Sequence, residues 1–318
     1  MDISLLSAID QSYRIPFEVL VDSVLRTKQP ATAVEWHVFT EEPGDWQSWL
    51  AGMNARYRDH NARFVIHCPC WRGDETLPVR GRTRPIVYAR LLAPEQAPLA
   101  TARALFLDAD MLVVGPIEDL WCTDLASRSC ACAQDLAIPT VSSGMGIADP
   151  AWWDNDAHRP YFNAGLMLID VKAWKDQGVK DKALAYLVSS GNAVNMFDQE
   201  ALNVALGGEW QRLSYRWNLI ASVAGRSFLD SARLDTADYV DSLRSPGIIH
   251  YAGRLKPWRN PYLQGKWYDL YRAALRQAIP EHRGRFAIRH VVGAGYDAYL
   301  RRWAYPIETA VWRARRGF

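Results

Sequence analysis

No run of eighteen uncharged apolar residues occurs in the 318-residue sequence, so nothing in it reads as a membrane-spanning helix. The amino terminus, Met1 to Asp10, has neither a basic leader nor a long apolar stretch, which leaves the cytoplasm as the expected location. A Walker loop is missing, and Gly144 with Gly146 makes only a fragment of a dinucleotide fingerprint, so P-loop kinases and Rossmann dehydrogenases lose ground. Internal repeats and low-complexity tracts are missing too. The five cysteines, Cys68, Cys70, Cys122, Cys130 and Cys132, lack the paired Cys-x2-Cys spacing of a structural zinc site; free, reduced thiols are expected. Net charge is also small, at +2, and nucleic acid is not expected as a partner.

What is present suits an enzyme of one main domain. The chain is 49% hydrophobic and long enough to bury a sizeable core. Its 14 Trp and 14 Tyr are compatible with platforms for sugars or bases, although core packing accounts for most of them. Strand and helix patterns alternate. Ile3 to Ala8 reads as a strand, followed by a helix through about Arg26; Val34 to Thr40 reads as a strand, Trp46 to Arg58 as a helix, and Phe64 to Cys68 as a third strand. An arginine-rich loop covers 72–84, and a helix begins at Ile86 to Leu92. Strands follow at Ala131 to Asp135 and Ala164 to Ile169, separated by a long loop, and a helix starts near Asp198. This is an α/β rhythm, in which ligands collect at the carboxyl ends of strands, where Asp10, Asp110, Asp135 and His250 would stand.

Residues 104–114 read Ala-Leu-Phe-Leu-Asp-Ala-Asp-Met-Leu-Val-Val, an apolar strand interrupted by two carboxylates. Unpaired carboxylates in a buried sheet are costly, so a bound cation accounts best for Asp108 and Asp110, which share one face of a continuous strand while Ala109 turns away. The competing reading is a strand that stops in a solvated turn. Farther on, Ile248-Ile-His250-Tyr-Ala-Gly253-Arg-Leu-Lys256-Pro-Trp258 brings an imidazole, a glycine and a lysine together. Imidazole completes a mixed shell for Mn2+, Gly253 lets a backbone N–H approach a phosphate, and Lys256 adds a compact positive charge.

The positive charge is concentrated at the far end. Eight arginines against three acids give residues 281–318 a net +5, which leaves −3 for the rest. Val292, Tyr296, Tyr299, Leu300, Trp303, Ile307 and Val311 recur at spacings of three and four, the pattern of a basic amphipathic helix bent near Pro306. An anionic membrane surface against residues 283–316 and a terminal helix with its arginines in solvent fit this pattern equally.

Six blocks, in order, resemble the retaining family 8 glycosyltransferases, which include bacterial lipopolysaccharide galactosyl- and glucosyltransferases and glycogenin. They are Ala8-Ile-Asp10-Gln-Ser12-Tyr13, Tyr88-Ala-Arg90-Leu, Phe106-Leu-Asp108-Ala-Asp110, Phe162-Asn163-Ala164-Gly165-Leu-Met-Leu-Ile, Asp198-Gln199-Glu200-Ala-Leu-Asn203, and His250 through Trp258. The resemblance implies a GT-A type nucleotide-sugar-binding fold over residues 1–272, with a central mixed, mostly parallel sheet flanked by helices and a basic helical tail over 273–318. It also implies Mn2+ or Mg2+, a UDP-sugar donor, and retaining transfer of a hexose to a glycan or glycolipid acceptor. By the same resemblance Asp108, Asp110 and His250 are the metal ligands, and Tyr13 stacks on the uracil. Ala8, Asp10 and Ser12 contact base or ribose, Gly253 and Lys256 lie along the diphosphate, and Ala109 belongs to the donor-binding set. Arg90, Asp135, Asn163, Ala164 and Asp198 surround the donor sugar, and Gln199 faces the anomeric carbon with Asp198 beside it.

Some positions depart from the family pattern. Gln11 stands where many relatives carry an acid, Glu200 is one methylene longer than the usual Asp, and the loop 136–161 with Trp152, Trp153, Asp154 and Asp156 has no counterpart. By position that loop is a candidate cover for the acceptor, with tryptophans to stack on a sugar, and Asp154-Asn-Asp156 reads as a solvated turn. Two retaining routes stay open: same-face attack, and a covalent intermediate on a carboxylate such as Asp198 or Glu200. A sugar-phosphate nucleotidyltransferase and a self-glycosylating priming protein remain the rival classes.

Overall fold

In the computed structural model the described residues are 1–280 apart from 42, 72–76, 82–83, 226–232 and 261. The basic segment 283–316 and much of the loop 72–84 therefore lie outside the described residues. From the amino end the elements are β1 (Asp2–Ala8), α1 (Arg14–Thr27), β2 (Ala33–Phe39), α2 (Gln47–Arg56), β3 (Ala62–His67), α3 (Ala89–Gln96), β4 (Arg103–Leu107), β5 (Met111–Val113), α4 (Glu118–Trp121) and β6 (Cys130–Ala133). They continue with β7 (Leu166–Asp170), α5 (Val171–Asp176), α6 (Val179–Ser190), α7 (Phe197–Leu206), β8 (Gln211–Leu213), β9 (Leu219–Ile220), α8 (Thr236–Arg244), β10 (Ile248–His250) and α9 (Lys266–Ala278).

A seven-stranded sheet runs β3-β2-β1-β4-β7-β6-β8. Pairs along β3-β2-β1-β4 and β6-β8 are parallel, while β4-β7 and β7-β6 are antiparallel, which makes the sheet mixed and mostly parallel. Helices cover both faces, so the inner strands are apolar almost throughout: Ile3 to Ser7 of β1 are all buried. On one face Phe17, Leu20, Val21 and Val24 of α1, spaced by three and four, meet Leu5, Trp36 and Leu105. On the other, Leu91, Trp174, Leu187 and Leu202 from α3, α5, α6 and α7 meet Leu6, Phe106 and Met167.

Strand order locates the ligand end. The chain leaves β1 toward β2 and β3, then returns to lay β4 on the other flank of β1, with Leu6 opposite Phe106. The carboxyl ends of β1 and β4 thus flank a reversal of strand order, the crevice in which open α/β sheets bind ligands.

Two expectations change. The acidic strand is not continuous: β4 ends at Leu107, the chain turns through Asp108, Ala109 and Asp110, and β5 enters a second sheet, ordered β5-β10-β9. Alternation along one strand therefore does not align the carboxylates; a turn between two sheets does. The division expected between 272 and 273 falls inside α9, a single helix whose Tyr268, Tyr271 and Leu275 enter one apolar cluster with Leu112, Ile249 and Tyr251. All five cysteines are free, and no helix among the described residues is long and apolar enough to cross a membrane.

Candidate active site

The turn after β4 is held at both ends by backbone. The Asp108 N–H donates to Gly165 O at 2.8 Å, and the Tyr251 N–H donates to Asp110 O at 2.9 Å. Antiparallel pairing places His250 opposite Met111, one residue beyond Asp110. As a result His250 Nε2 lies 3.2 Å from Asp110 Oδ1 and 3.8 Å from Asp108 Oδ2, and one ligand atom from each side chain falls within 4.8 Å of the others. Two carboxylates and an imidazole converging at that range form a donor set for a hard or borderline divalent cation. Gly165 leaves the room: a Cβ there would sit 2.5 Å from His250 Cε1 and 2.8 Å from Asp108 Oδ2.

Cations already balance the carboxylates. Arg90 Nη2 lies 2.8 Å from Asp108 Oδ1 and its Nε 2.6 Å from Asp198 Oδ2, so one guanidinium joins two acids. Lys256 pairs with Asp110 and donates to Tyr251 O at 2.8 Å. Burial pushes the Asp108 carboxyl above its ordinary range despite Arg90. Burial acts on Asp110 in the same sense, but the Lys256 ammonium and His250 together hold it well below that range. Burial lifts Asp198 to about 6, with Arg90 opposing the rise.

Above this cluster opens a cavity of about 1030 Å³. Ala8, Asp10, Tyr13, Arg90, Asp108, Ala109, Asp110, Gly253 and Lys256, nine of the residues anticipated from sequence, line it. Tyr13 stands edge-on to Trp258 at 5.8 Å, with Lys256 Nζ 5.8 Å and Arg259 Cζ 5.7 Å from its ring centre. Asp10 Oδ1 accepts from the Ser12 N–H at 2.7 Å, and Gly253 takes a φ of +83°, a conformation that favours glycine. Ser12 is not in the lining; its hydroxyl accepts from Arg259 Nη2 at 3.0 Å.

The remaining anticipated residues do not line the cavity. Asp135, Asn163, Ala164, Asp198, Gln199 and His250 are buried. Asn163 Nδ2 donates to Asp135 Oδ2 at 2.8 Å, Gln199 Nε2 donates to the same oxygen at 3.2 Å, and the Ala164 N–H donates to Gln199 Oε1 at 3.1 Å. Arg90 Nη1 reaches Ala164 O at 2.7 Å and so joins this network to the carboxylates.

Glu200 is enclosed elsewhere. Its Oε1 accepts from the Ala148 N–H and the Tyr186 hydroxyl, and its Oε2 from the Asn195 and Met196 N–H groups, which makes it a brace for the start of α7. In the loop 136–161 only Met145 reaches the cavity. Trp152 packs edge-on against Tyr186 at 5.4 Å and Trp153 Nε1 donates to Ile147 O at 3.1 Å, so neither tryptophan forms its wall. Asp154 pairs with Arg159 and Asp156 accepts from the His158 N–H, as in a turn.

Sequence reading gave no role to Gly165 and Asn218, which stand beside His250, or to Arg80, Arg84, Arg254 and Arg259; these four arginines line the cavity. Asn218 carried a faint signal, a lone amide in the run Trp217-Asn218-Leu219-Ile220, the same logic that exposed the aspartates.

Fold and site together define a GT-A type protein with a candidate cation centre at the strand-order reversal. The sequence model of glycosyl transferase family 8 matches residues 4–261, and the chain belongs to that family. It is 30% identical over 186 residues to the lipopolysaccharide 1,2-glucosyltransferase of Escherichia coli K12, covering 58% of this chain and 53% of that one. It is 24% identical over 303 residues to the lipopolysaccharide 1,3-galactosyltransferase of Salmonella typhimurium, covering 89% and 83%. A crystal structure of the galactosyltransferase LgtC in complex with donor and acceptor sugar analogues superposes with a TM-score of 0.68 at 25% identity, over 89% of this chain and 99% of that one. The chain spans between about half and three fifths of the length of several curated relatives it matches.

Proposed function

We propose that this protein is a metal-dependent retaining glycosyltransferase that moves a hexose, galactose or glucose, from a UDP-sugar to a hydroxyl of a glycan or glycolipid such as lipopolysaccharide core, in the cytoplasm. The observation that carries this reading is the convergence of Asp108, Asp110 and His250 beneath the cavity, at the reversal of strand order in a family 8 fold. The cation is Mn2+, with Mg2+ as the alternative; an imidazole beside two carboxylates favours the former.

Charge supports an anionic donor. Arg80, Arg84, Arg90, Arg254, Lys256 and Arg259 line the cavity against Asp10, Asp108 and Asp110. Tyr13 and Phe197 are aromatic rings of the cavity lining, and Tyr13, in the segment that also brings Ala8 and Asp10 to it, is the one assigned to the base. Breaking the sugar–phosphate bond adds about one negative charge to the leaving diphosphate, and a bound cation supplies Lewis-acid stabilisation of several kcal/mol there. Lys256 adds a second positive group, and the left-handed backbone at Gly253 offers an N–H to a phosphate oxygen.

The forming oxocarbenium-like carbon needs negative or dipolar partners, for which Asp198 and the Gln199 amide are the candidates. Both are poor nucleophiles in this setting. The Gln199 oxygen already accepts from Ala164, and the Asp198 carboxylate is held by Arg90. Glu200, walled in by four donors, faces no substrate. Same-face attack, with a leaving-group oxygen taking the acceptor's proton, is therefore preferred over a covalent intermediate. For residues 283–316 an anionic membrane surface and a terminal helix with its arginines in solvent stay equal readings, which co-sedimentation with anionic vesicles separates.

The deciding experiment is a screen of UDP-glucose, UDP-galactose and their N-acetyl forms for UDP release with Mn2+, with Mg2+ and with chelator. Cation-dependent UDP release from one sugar is expected. Binding of UDP that is unchanged by chelator would overturn the reading, and release of pyrophosphate from UTP and a sugar phosphate would replace it with nucleotidyl transfer.

A further inference from the structure

Two consecutive backbone N–H groups fix the orientation of the amides buried beneath the cavity. The Gly165 N–H donates to Asn163 Oδ1 at 3.0 Å, and because a backbone donor cannot be reversed, Asn163 must turn its Nδ2 to Asp135. Asn218 meets the same Asn163 Oδ1 at 3.0 Å, so it must donate there with its own Nδ2. Its Oδ1 is left 2.9 Å from His250 Nδ1 and can only accept, which places the imidazole proton on Nδ1. His250 Nε2 then offers a lone pair to the space it shares with Asp108 and Asp110. On the other flank the Ala164 N–H fixes Gln199 in the same way and turns its Nε2 toward Asp135.

We propose that Asn218 is a positioning residue for the cation site. It holds His250 in the tautomer that can ligate, and through Asn163 and Asp135 it ties that imidazole to Gln199. Asn218 is 1% exposed, and a buried amide is costly unless both ends are bonded; here one end serves the metal ligand and the other the sugar-side network. The inference rests on the cation site proposed above.

The test uses the full chain and Mn2+ alone, titrated by electron paramagnetic resonance. Wild type should bind one ion. Asn218→Leu, which removes both hydrogen bonds, should weaken Mn2+ by about 10- to 100-fold, the range for losing an outer-shell partner of a metal ligand. Asn218→Asp keeps an acceptor for Nδ1–H but cannot donate to Asn163, so Mn2+ affinity should survive while kcat falls. A variant-independent check is the long-range proton–nitrogen spectrum of wild type with Mg2+, in which His250 should appear as the Nδ1–H tautomer. An Nε2–H tautomer, or an Asn218→Leu protein that binds Mn2+ as wild type does, would overturn the proposal. Failure of wild type to bind Mn2+ would instead remove the cation site itself, and the inference with it.

Discussion

A methyl group on Gly165 would press on His250 and Asp108 at once, at 2.5 and 2.8 Å. Gly165→Ala should therefore cost about 1–3 kcal/mol of stability through overpacking. It should also weaken Mn2+ at least tenfold by spreading the ligands. Thermal melts beside Mn2+ titration separate the two effects, and a variant that melts early yet binds normally would show the crowding to be relieved elsewhere. Asp198 makes a pH prediction. Its carboxyl is raised to about 6 from an ordinary 3.8, so the folded state holds that proton more tightly, and the stability it lends is present below about 4 and lost as pH rises toward 6. The proposed chemistry needs the charged form, so kcat should fall about tenfold per pH unit below about 6. Asp198→Asn should be slower and show no acid limb there. A limb that persists in the variant would assign it to another group.

Elements carry the next effects. Glu200 joins the start of α7 to the segment before Asp149 and to Tyr186 of α6. Glu200→Gln replaces an accepting oxygen by a donor facing N–H groups and should cost about 1–3 kcal/mol, with kcat changed far less than in Asp198→Asn. A kcat collapse at unchanged stability would return Glu200 to the list of nucleophiles. At the sheet edge, His37 Nδ1 lies 2.8 Å from His67 Nε2, linking β2 to β3. Burial lowers His67 to about 4, with His37 adding to the fall, so the stability of this edge is present above the ordinary 6.5 and lost as pH falls through about 4. Hydrogen exchange of β3 should quicken across that window, and His67→Asn should remove the pH dependence. Element existence was legible where periodicity was strong, as in β1 and α1. The acidic run looked like one strand because nothing in its composition marks where a chain leaves one sheet for another; the break at Asp108 to Asp110 depends on β10 arriving as partner to β5. Likewise α9 is hidden from the sequence, since the last family block ends at Trp258 and no motif covers 266–278, whereas Tyr271 and Leu275 are buried against β5 and β10.

For the whole molecule the expectation concerns linkage. Only the folded chain gathers Asp108, Asp110 and His250, so Mn2+ held at the proposed site should raise the melting temperature, with about 2.7 kcal/mol gained at a hundred times its Kd. Chelator should reverse the gain, and Asp110→Asn should abolish most of it; an equal shift in that variant would place the ion elsewhere. The sequence by itself determined the α/β class, the family, and the two carboxylates that do not belong in an apolar run, because periodicity and misplaced charge are local properties that any short window displays. Only the tertiary structure decided that a turn between two sheets aligns those carboxylates, that antiparallel pairing brings His250 to them, and that Gly165 and Asn218 serve the same point. Those contacts join residues far apart in the chain, and their placement follows from strand order and register rather than from any neighbour in sequence.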